Sequence, residues 1–417
     1  MINKLKGKSV FLILLAIIIL GLAFRAVVFY KFLPNFKLAG DAKHYWLMSH
    51  QLVDNGIYGY WNEGMDVGPQ KGEPNAFVTP VYPLFLSGIY AVFHDPYLQI
   101  TIARMIQVGV SGLITPLLAF LLVRRLFRRN DIALLTSLLT AIYPTYAMSS
   151  VDILTEVFSL ATMLLYFYLT TVGLQTRKAA MNVLAGIAFA FHILVRPPLL
   201  PLFILPFIYI YFAWGKKERK AVFRVFFQTC GGFVLLMLPW WIRNIVSLHT
   251  FIITSTSVGN PLLAGTYPYM ENLMWDVTEQ IRGNSERQAK LARERIINGF
   301  LTQPLLYIKW YTLGKIQIMF GTPWQYYKLP GTQIIHNIIH NTIVFVGAAG
   351  LIANSVINRV NRFINIYGLL FLGLYLIFIP LSRYAYQHMF FLMLSAAYLV
   401  CQVSDVVKHR FVHKINN

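Results

Sequence analysis

The feature that most constrains this chain is a series of apolar runs long enough to cross a lipid bilayer. No charged residue interrupts the sequence between Val10 and Phe24, and a helical span needs about 20 mostly apolar residues. Comparable segments occupy 9–30, 97–123, 131–150, 151–172, 179–196, 197–214, 221–242, 334–355, 363–381 and 386–404. Of the 417 residues, 57% are hydrophobic and 12% charged, and that charged share is about half that of a soluble domain. The expectation is an all-α polytopic membrane protein, a single membrane domain over 1–417 with about ten transmembrane helices.

Charge orients the spans. A net charge of +20 could point to nucleic acid, but no free-standing basic domain carries it, and in membrane proteins positive charge records topology. The N-terminal Lys4, Lys6 and Lys8 precede a run whose apolar character resumes at Ala26 to Tyr30. It therefore reads as a retained span, although Gly21-Leu22-Ala23 has the form of a signal cleavage site. With both termini cytoplasmic, the basic residues of the loops at Arg124–Arg129, Arg177–Lys178 and Lys216–Lys220 share one side with Arg359, Arg362, Lys408 and Arg410. That agreement requires the short apolar stretch 79–93, which opens with Pro80 and Pro83, to lie in the outer interface or re-enter rather than span. Cys230 and Cys401 sit in apolar runs with no ligand or disulfide spacing,.

Two outer segments, 31–96 and 244–333, are long enough to hold structure. In the first, Asp41 reads as the N-cap of an interfacial helix running to about Asn55 and closed by Gly56, with Tyr45, Ser49 and Leu52 on one face. In the second, Ser285-Glu-Arg-Gln288 has capping-box spacing. Ala289, Ala292, Ile296 and Phe300 follow at helical intervals, which predicts an amphipathic surface helix.

Charges inside spans are costly and mark function. On this topology they share the outer leaflet. Asp152 and Glu156 lie in the fourth span, one helical turn apart and so on one face. Arg25 and Arg104 lie below the outer ends of theirs, and Arg196, Arg243 and Arg383 mark three further outer ends. Asp152 suits a helix cap; Glu156, one turn deeper, is expensive unless partnered. Guanidinium groups favour phosphate, and a nearby carboxylate can take a proton from a hydroxyl. Sugar transfer from a lipid phosphate needs those parts.

The ordered motifs resemble the GT-C membrane glycosyltransferases, in the branch of the protein O-mannosyltransferases and the lipid A aminoarabinose transferase. The matching stretches are Gly40-Asp41-Ala-Lys-His-Tyr45, then Pro74-Asn-Ala-Phe-Val-Thr-Pro80-Val-Tyr-Pro83, Arg104-Met-Ile-Gln107 and Arg124-Arg-Leu-Phe127. Ile153-Leu-Thr-Glu156, Leu194-Val-Arg196-Pro197, Pro239-Trp-Trp-Ile-Arg243-Asn244, Gly259-Asn260 and Arg383-Tyr384 follow in order. The resemblance implies an inverting transfer on the outer face of the cell membrane. The donor would be a polyprenyl-phosphate sugar, and the acceptor a hydroxyl on a lipid, cell-wall polymer or protein. Asp41 would be the catalytic base. Tyr45, Arg104, Asp152, Glu156, Arg196, Arg243, Arg383 and Tyr384 would bind donor or acceptor.

Two departures bear on this. Some relatives carry a second acidic residue after the first-loop aspartate, where this chain has Ala42. That weakens the case for a divalent cation there; His44 and Glu156 are the residues that would hold one, and no other cofactor is implied. Some also carry a basic residue before paired prolines, where this chain has Thr79, leaving Lys71 or an arginine for that charge. A transporter or flippase of a lipid-linked sugar is the alternative, but such proteins bind near the midplane between repeats, and no repeat stands out. A non-catalytic scaffold gives Glu156 no use.

Overall fold

The computed structural model describes residues 7–34, 38–61, 68–213, 215–274, 277–278 and 281–415, and among them every regular element is helical. Lys4 and Lys6 lie outside the described residues, as do the side chains beyond Lys408. The helices are α1 (Gly7–Phe32), α2 (Asp41–Asn55), α3 (Val81–Tyr90), α4 (Pro96–Gly109), α5 (Thr115–Phe127), α6 (Asn130–Ile142), α7 (Pro144–Met148), α8 (Glu156–Thr176) and α9 (Ala179–Val195). After them come α10 (Leu205–Ala213), α11 (Arg219–Leu248), α12 (Gly259–Ala264), α13 (Ser285–Thr302), α14 (Pro304–Lys309), α15 (Lys315–Phe320), α16 (Gln333–Ile357), α17 (Arg359–Leu376) and α18 (His388–Ile415).

Helix occupies each of the ten expected spans. By length and apolar composition six helices could cross a membrane, and a seventh span forms if α6 and Pro144–Val151 count as one. Ala179–Val195 and Pro197–Ala213 are apolar but shorter, and Arg359–Leu376, with two arginines in its first turn, is not among the six. The protein is multi-pass. α3, at 10 residues, is about 15 Å long and cannot span.

Close helix crossings hold the bundle. α9 packs between α8 and α11, and α16 packs on α18. At the α9–α11 crossing a Cβ on Gly186 would stand 1.9 Å from the Thr229 carbonyl oxygen, and one on Gly232 2.0 Å from that of Val183. Only glycine allows two backbones so near, the small-residue logic of packing within membranes.

Prolines decide where the helices break. The residue before a proline is pushed out of helical geometry. Tyr143 (φ −64°, ψ 121°) precedes Pro144, and α6 and the segment after it meet at 55°. Arg196 (φ −155°, ψ 110°) precedes Pro197 and ends α9. Pro380, between α17 and a short 3-10 turn at Ser382–Ala385, separates α17 from α18.

Several local expectations change. α2 has the expected bounds, with Gly56 (φ 68°) donating its N–H to the Leu52 carbonyl, but its N-cap is Gly40 and Asp41 is its first residue. Asp152 does not cap α8, whose N-cap is Thr155, and Asp152 itself is extended (φ −83°, ψ 134°). Asp152 and Glu156 therefore do not share a helix face, because the helix begins only at Glu156. α13 starts from Asn284, whose side chain accepts from the Arg287 N–H, while Ser285 Oγ accepts from the Gly259 N–H. Of its expected apolar face only Ala292 is fully buried.

Candidate active site

Helix ends and turns bring four charged side chains into one line. Asp41, in the first turn of α2, lies 2.7 Å (Oδ2) from Arg383 Nη2 on the turn after Pro380. Arg383 Nε is 3.9 Å from Glu156 Oε1. The same Glu156 oxygen accepts from Arg196 Nη1 at 2.7 Å. Exposure falls along the line, from 42% for the Asp41 side chain through 25% for Arg383 to 2% for Glu156. The second Glu156 oxygen has no hydrogen-bond partner. Tyr384 stands beside both guanidiniums, which lie 5.4 Å (Arg196) and 5.7 Å (Arg383) from its ring centroid.

The exposed end of this line opens into a cavity of about 640 Å³. α2 contributes Asp41 and Tyr45 and the chain after it Tyr60, α12 contributes Asn260, α13 contributes Gln288 and the chain between them Arg282, and the turn between α17 and α18 contributes Arg383 and Tyr384. Asp41 is the only carboxylate among its described lining residues. Burial and then Asp41 push the Tyr45 phenol well above its usual range, and the same two causes push Tyr60 up to about 12. Both phenols stay neutral at ordinary pH, so the cavity's carboxylate is its candidate base. Burial alone would lower the Arg383 guanidinium, but Glu156 and Asp41 carry it above the usual arginine range.

The other expected residues lie elsewhere. Arg104 donates to the Val151 and Phe32 carbonyls and to Tyr327 Oη. Asp152 is buried nearby, and neither of its carboxylate oxygens has a hydrogen-bond partner. Arg243 donates to the Tyr58 carbonyl at 2.6 Å and the Asn75 carbonyl at 2.9 Å, bracing the first long loop. Arg25 is wholly buried and donates to Ser111 Oγ and the Gly21, Ala141 and Thr140 carbonyls. Lys71 lies over the Trp61 ring. His44 directs Nδ1 to the Trp61 carbonyl at 3.1 Å. Three or more metal-ligating side chains do not come together among the described residues, and Asp41 is engaged by Arg383. This donor set does not fit a metal at Asp41.

Tyr60, Arg282 and Gln288 join the cavity without a prior signal in the sequence. Tyr60 and Arg282 come from loops, where no periodicity marks the residues that face inward, and Gln288 is a polar residue on the buried face of α13, one turn before Ala292.

With the geometry established, comparison places the chain among known folds. Residues 77–242 match the family described as dolichyl-phosphate-mannose-protein mannosyltransferase. The oligosaccharyltransferase of Archaeoglobus fulgidus in its apo form superposes with a TM-score of 0.62 at 16% identity, over 99% of this chain and 52% of that one. The archaeal oligosaccharyltransferase AglB from Archaeoglobus fulgidus, in complex with an inhibitory peptide and a dolichol-phosphate, gives 0.59 at 15% identity, over 96% and 52%. ArnT from Cupriavidus metallidurans bound to undecaprenyl phosphate gives 0.47 at 14%, over 91% and 77%. The chain spans about half the length of the oligosaccharyltransferase chains. No curated protein matches. The fold is that of the GT-C membrane glycosyltransferases, the resemblance read from the ordered motifs.

Proposed function

Starting from the GT-C fold, we propose that the chain transfers one sugar from a polyprenyl-phosphate donor to a hydroxyl acceptor, with inversion, on the outer face of the cell membrane. The observation that carries this reading is the Asp41–Arg383 pair at the wall of a cavity whose one described carboxylate is Asp41. A dolichol-phosphate on a protein of the same fold supports the donor class, and the placement of basic loops supports the outward orientation.

The chemistry follows from the two side chains. The acceptor oxygen attacks the anomeric carbon from the side opposite the phosphate while Asp41 takes its proton. The bond from carbon to phosphate oxygen breaks, and its electron pair stays on the polyprenyl phosphate. Charge grows on that phosphate in the transition state, where a fixed guanidinium acts most strongly. Arg383 is placed to supply it, held in turn by Glu156, while Arg196 holds Glu156. Protonated Asp41 then returns its proton to water. No step is routed through a metal. Arg243 acts here as a brace of the Asp41 loop rather than a ligand.

The test is transfer by purified protein from a labelled polyprenyl-phosphate sugar, with product analysis. A new glycoside plus free polyprenyl phosphate supports the reading. Donor recovered unchanged on the other side of a vesicle would instead make the protein a transporter.

A further inference from the structure

A second cavity, of about 590 Å³ and so close in size to the first, lies in the long loop after α11. The last two turns of α13, the start of α14 and the turn around Tyr267–Asn272 line it. It is preformed. Tyr307 packs its ring on Gly299, where a Cβ would fall 2.0 Å from the ring, and donates its hydroxyl to the Thr266 carbonyl at 3.3 Å. Arg295 Nε donates to Thr266 Oγ1 at 3.0 Å, and its guanidinium lies 4.0 Å from the centroid of the Tyr267 ring.

The partition between the two cavities is strained. Tyr269, Met270, Asn272 and Met274 have φ of 53°, 62°, 51° and 57°, a region that side chains other than glycine rarely adopt. Such runs persist only where the surroundings impose them, and they collect at ligand sites. Glu271 and Asn272 face the second cavity and Met274 the first. α13 also borders both, with Gln288 at the first and Asn298 at the second. That stretch of helix is about 15 Å long.

The lining selects a chemistry. Arg295 and Glu271 offset each other in charge, so the cavity has no bias toward an anion. The Asn298 and Gln303 amides each donate and accept hydrogen bonds, which suits hydroxyl groups that do both. The Tyr267 and Tyr307 rings line the cavity but are buried, 3% and 7% exposed, so they shape its wall while the exposed amides carry recognition. We propose that this cavity is a saccharide subsite. It holds non-reacting sugar units of the acceptor while the reacting hydroxyl lies near Asp41, so that remote binding energy positions the reacting end. The acceptor role rests on reading the first cavity as the site of glycosyl transfer.

The test uses the full chain in detergent micelles as Asp41→Asn, so that binding is read without turnover. Saturation-transfer NMR is recorded with the neutral tetrasaccharides cellotetraose, maltotetraose, mannotetraose and chitotetraose. At least one is expected to bind, and Asn298→Ala with Gln303→Ala, both exposed positions, to weaken it at least tenfold while polyprenyl-phosphate binding persists. The subsite is overturned if none of the four binds, if the double variant binds as tightly, or if inorganic phosphate displaces the sugar. Saccharide binding by a chain that makes no glycoside would overturn the catalytic reading and leave the subsite standing. Transfer without saccharide binding would do the reverse.

Discussion

Asp41 and Arg383 form an ion pair 2.7 Å across at the wall of the larger cavity, the carboxylate on the first turn of α2 and the guanidinium on the turn between α17 and α18. In the proposed reaction one is the base and the other the phosphate ligand. Each therefore occupies the other until substrate arrives, and an incoming phosphate competes with Asp41 for Arg383.

Replacing Asp41 with Asn separates binding from chemistry. Transfer is expected to fall by about 10²–10⁴, the usual contribution of a general base. Binding of polyprenyl phosphate should tighten, because a competing negative charge is gone. Radiolabel transfer and thermophoresis with polyprenyl phosphate read the two quantities. A well-folded variant with near-normal transfer would remove Asp41 as the base.

Arg383→Gln should act in the opposite sense on binding. A charge-assisted hydrogen bond contributes about 1.5–3 kcal/mol, so polyprenyl-phosphate affinity is expected to drop by about 10–100-fold. Arg383→Lys keeps the charge but not the planar fork and should fall between the two. Equal binding by all three forms would place the phosphate elsewhere.

Glu156 and Arg196 should behave as one unit in stability. Glu156 is 2% and Arg196 12% exposed at the side chain, and removing one partner of a buried pair costs about 3–5 kcal/mol. Glu156→Gln and Arg196→Met should each lower the thermal midpoint in detergent, and the double variant should lose clearly less than their sum. Simple additivity would mean that the pair carries no coupling.

Lys315 gives the protein a pH-dependent component of stability. Its Nζ is buried and donates to the Leu376 carbonyl at 2.7 Å and the Phe378 carbonyl at 2.9 Å, just ahead of the Arg383 turn. Burial lowers the amine from 10.5 to about 6. Between those values the unfolded chain binds the proton and the folded chain does not, so stability rises with pH across the window and is lost as pH falls toward 6. The thermal midpoint should climb between about pH 6 and about pH 9 for the native protein, and that slope should flatten in Lys315→Met. An unchanged slope would show that the amine stays charged in the fold.

Much of this architecture was legible because its signals are local. Gly56 stops α2 where the sequence puts it, and the apolar runs are helices. Glu156, Arg196 and Arg383 stood out as charges that apolar surroundings do not tolerate alone, and the structure brings them together. Arg104 and Arg243 looked the same in sequence yet serve backbone carbonyls, and no side-chain pattern announces where an unpaired carbonyl will lie. The start of α13 missed by one residue because Asn284 and Ser285 are both good caps. The relation of Asp152 to Glu156 failed for a different reason: a four-residue spacing means one face only inside a helix, and the chain there is bent.

The position of the site's charges at helix ends bears on how such a protein is made. Glu156 begins α8, Arg196 directly follows α9, and Arg383 lies beyond the end of α17. Each of these charges therefore rides into the bilayer at the margin of its segment, where an ionised group is tolerated far better than at the centre. The spans can be inserted one at a time as ordinary apolar segments. The ion pairs can form only when these margins meet, so the completed site requires α2, α8, α9 and the turn before α18 to be in place together.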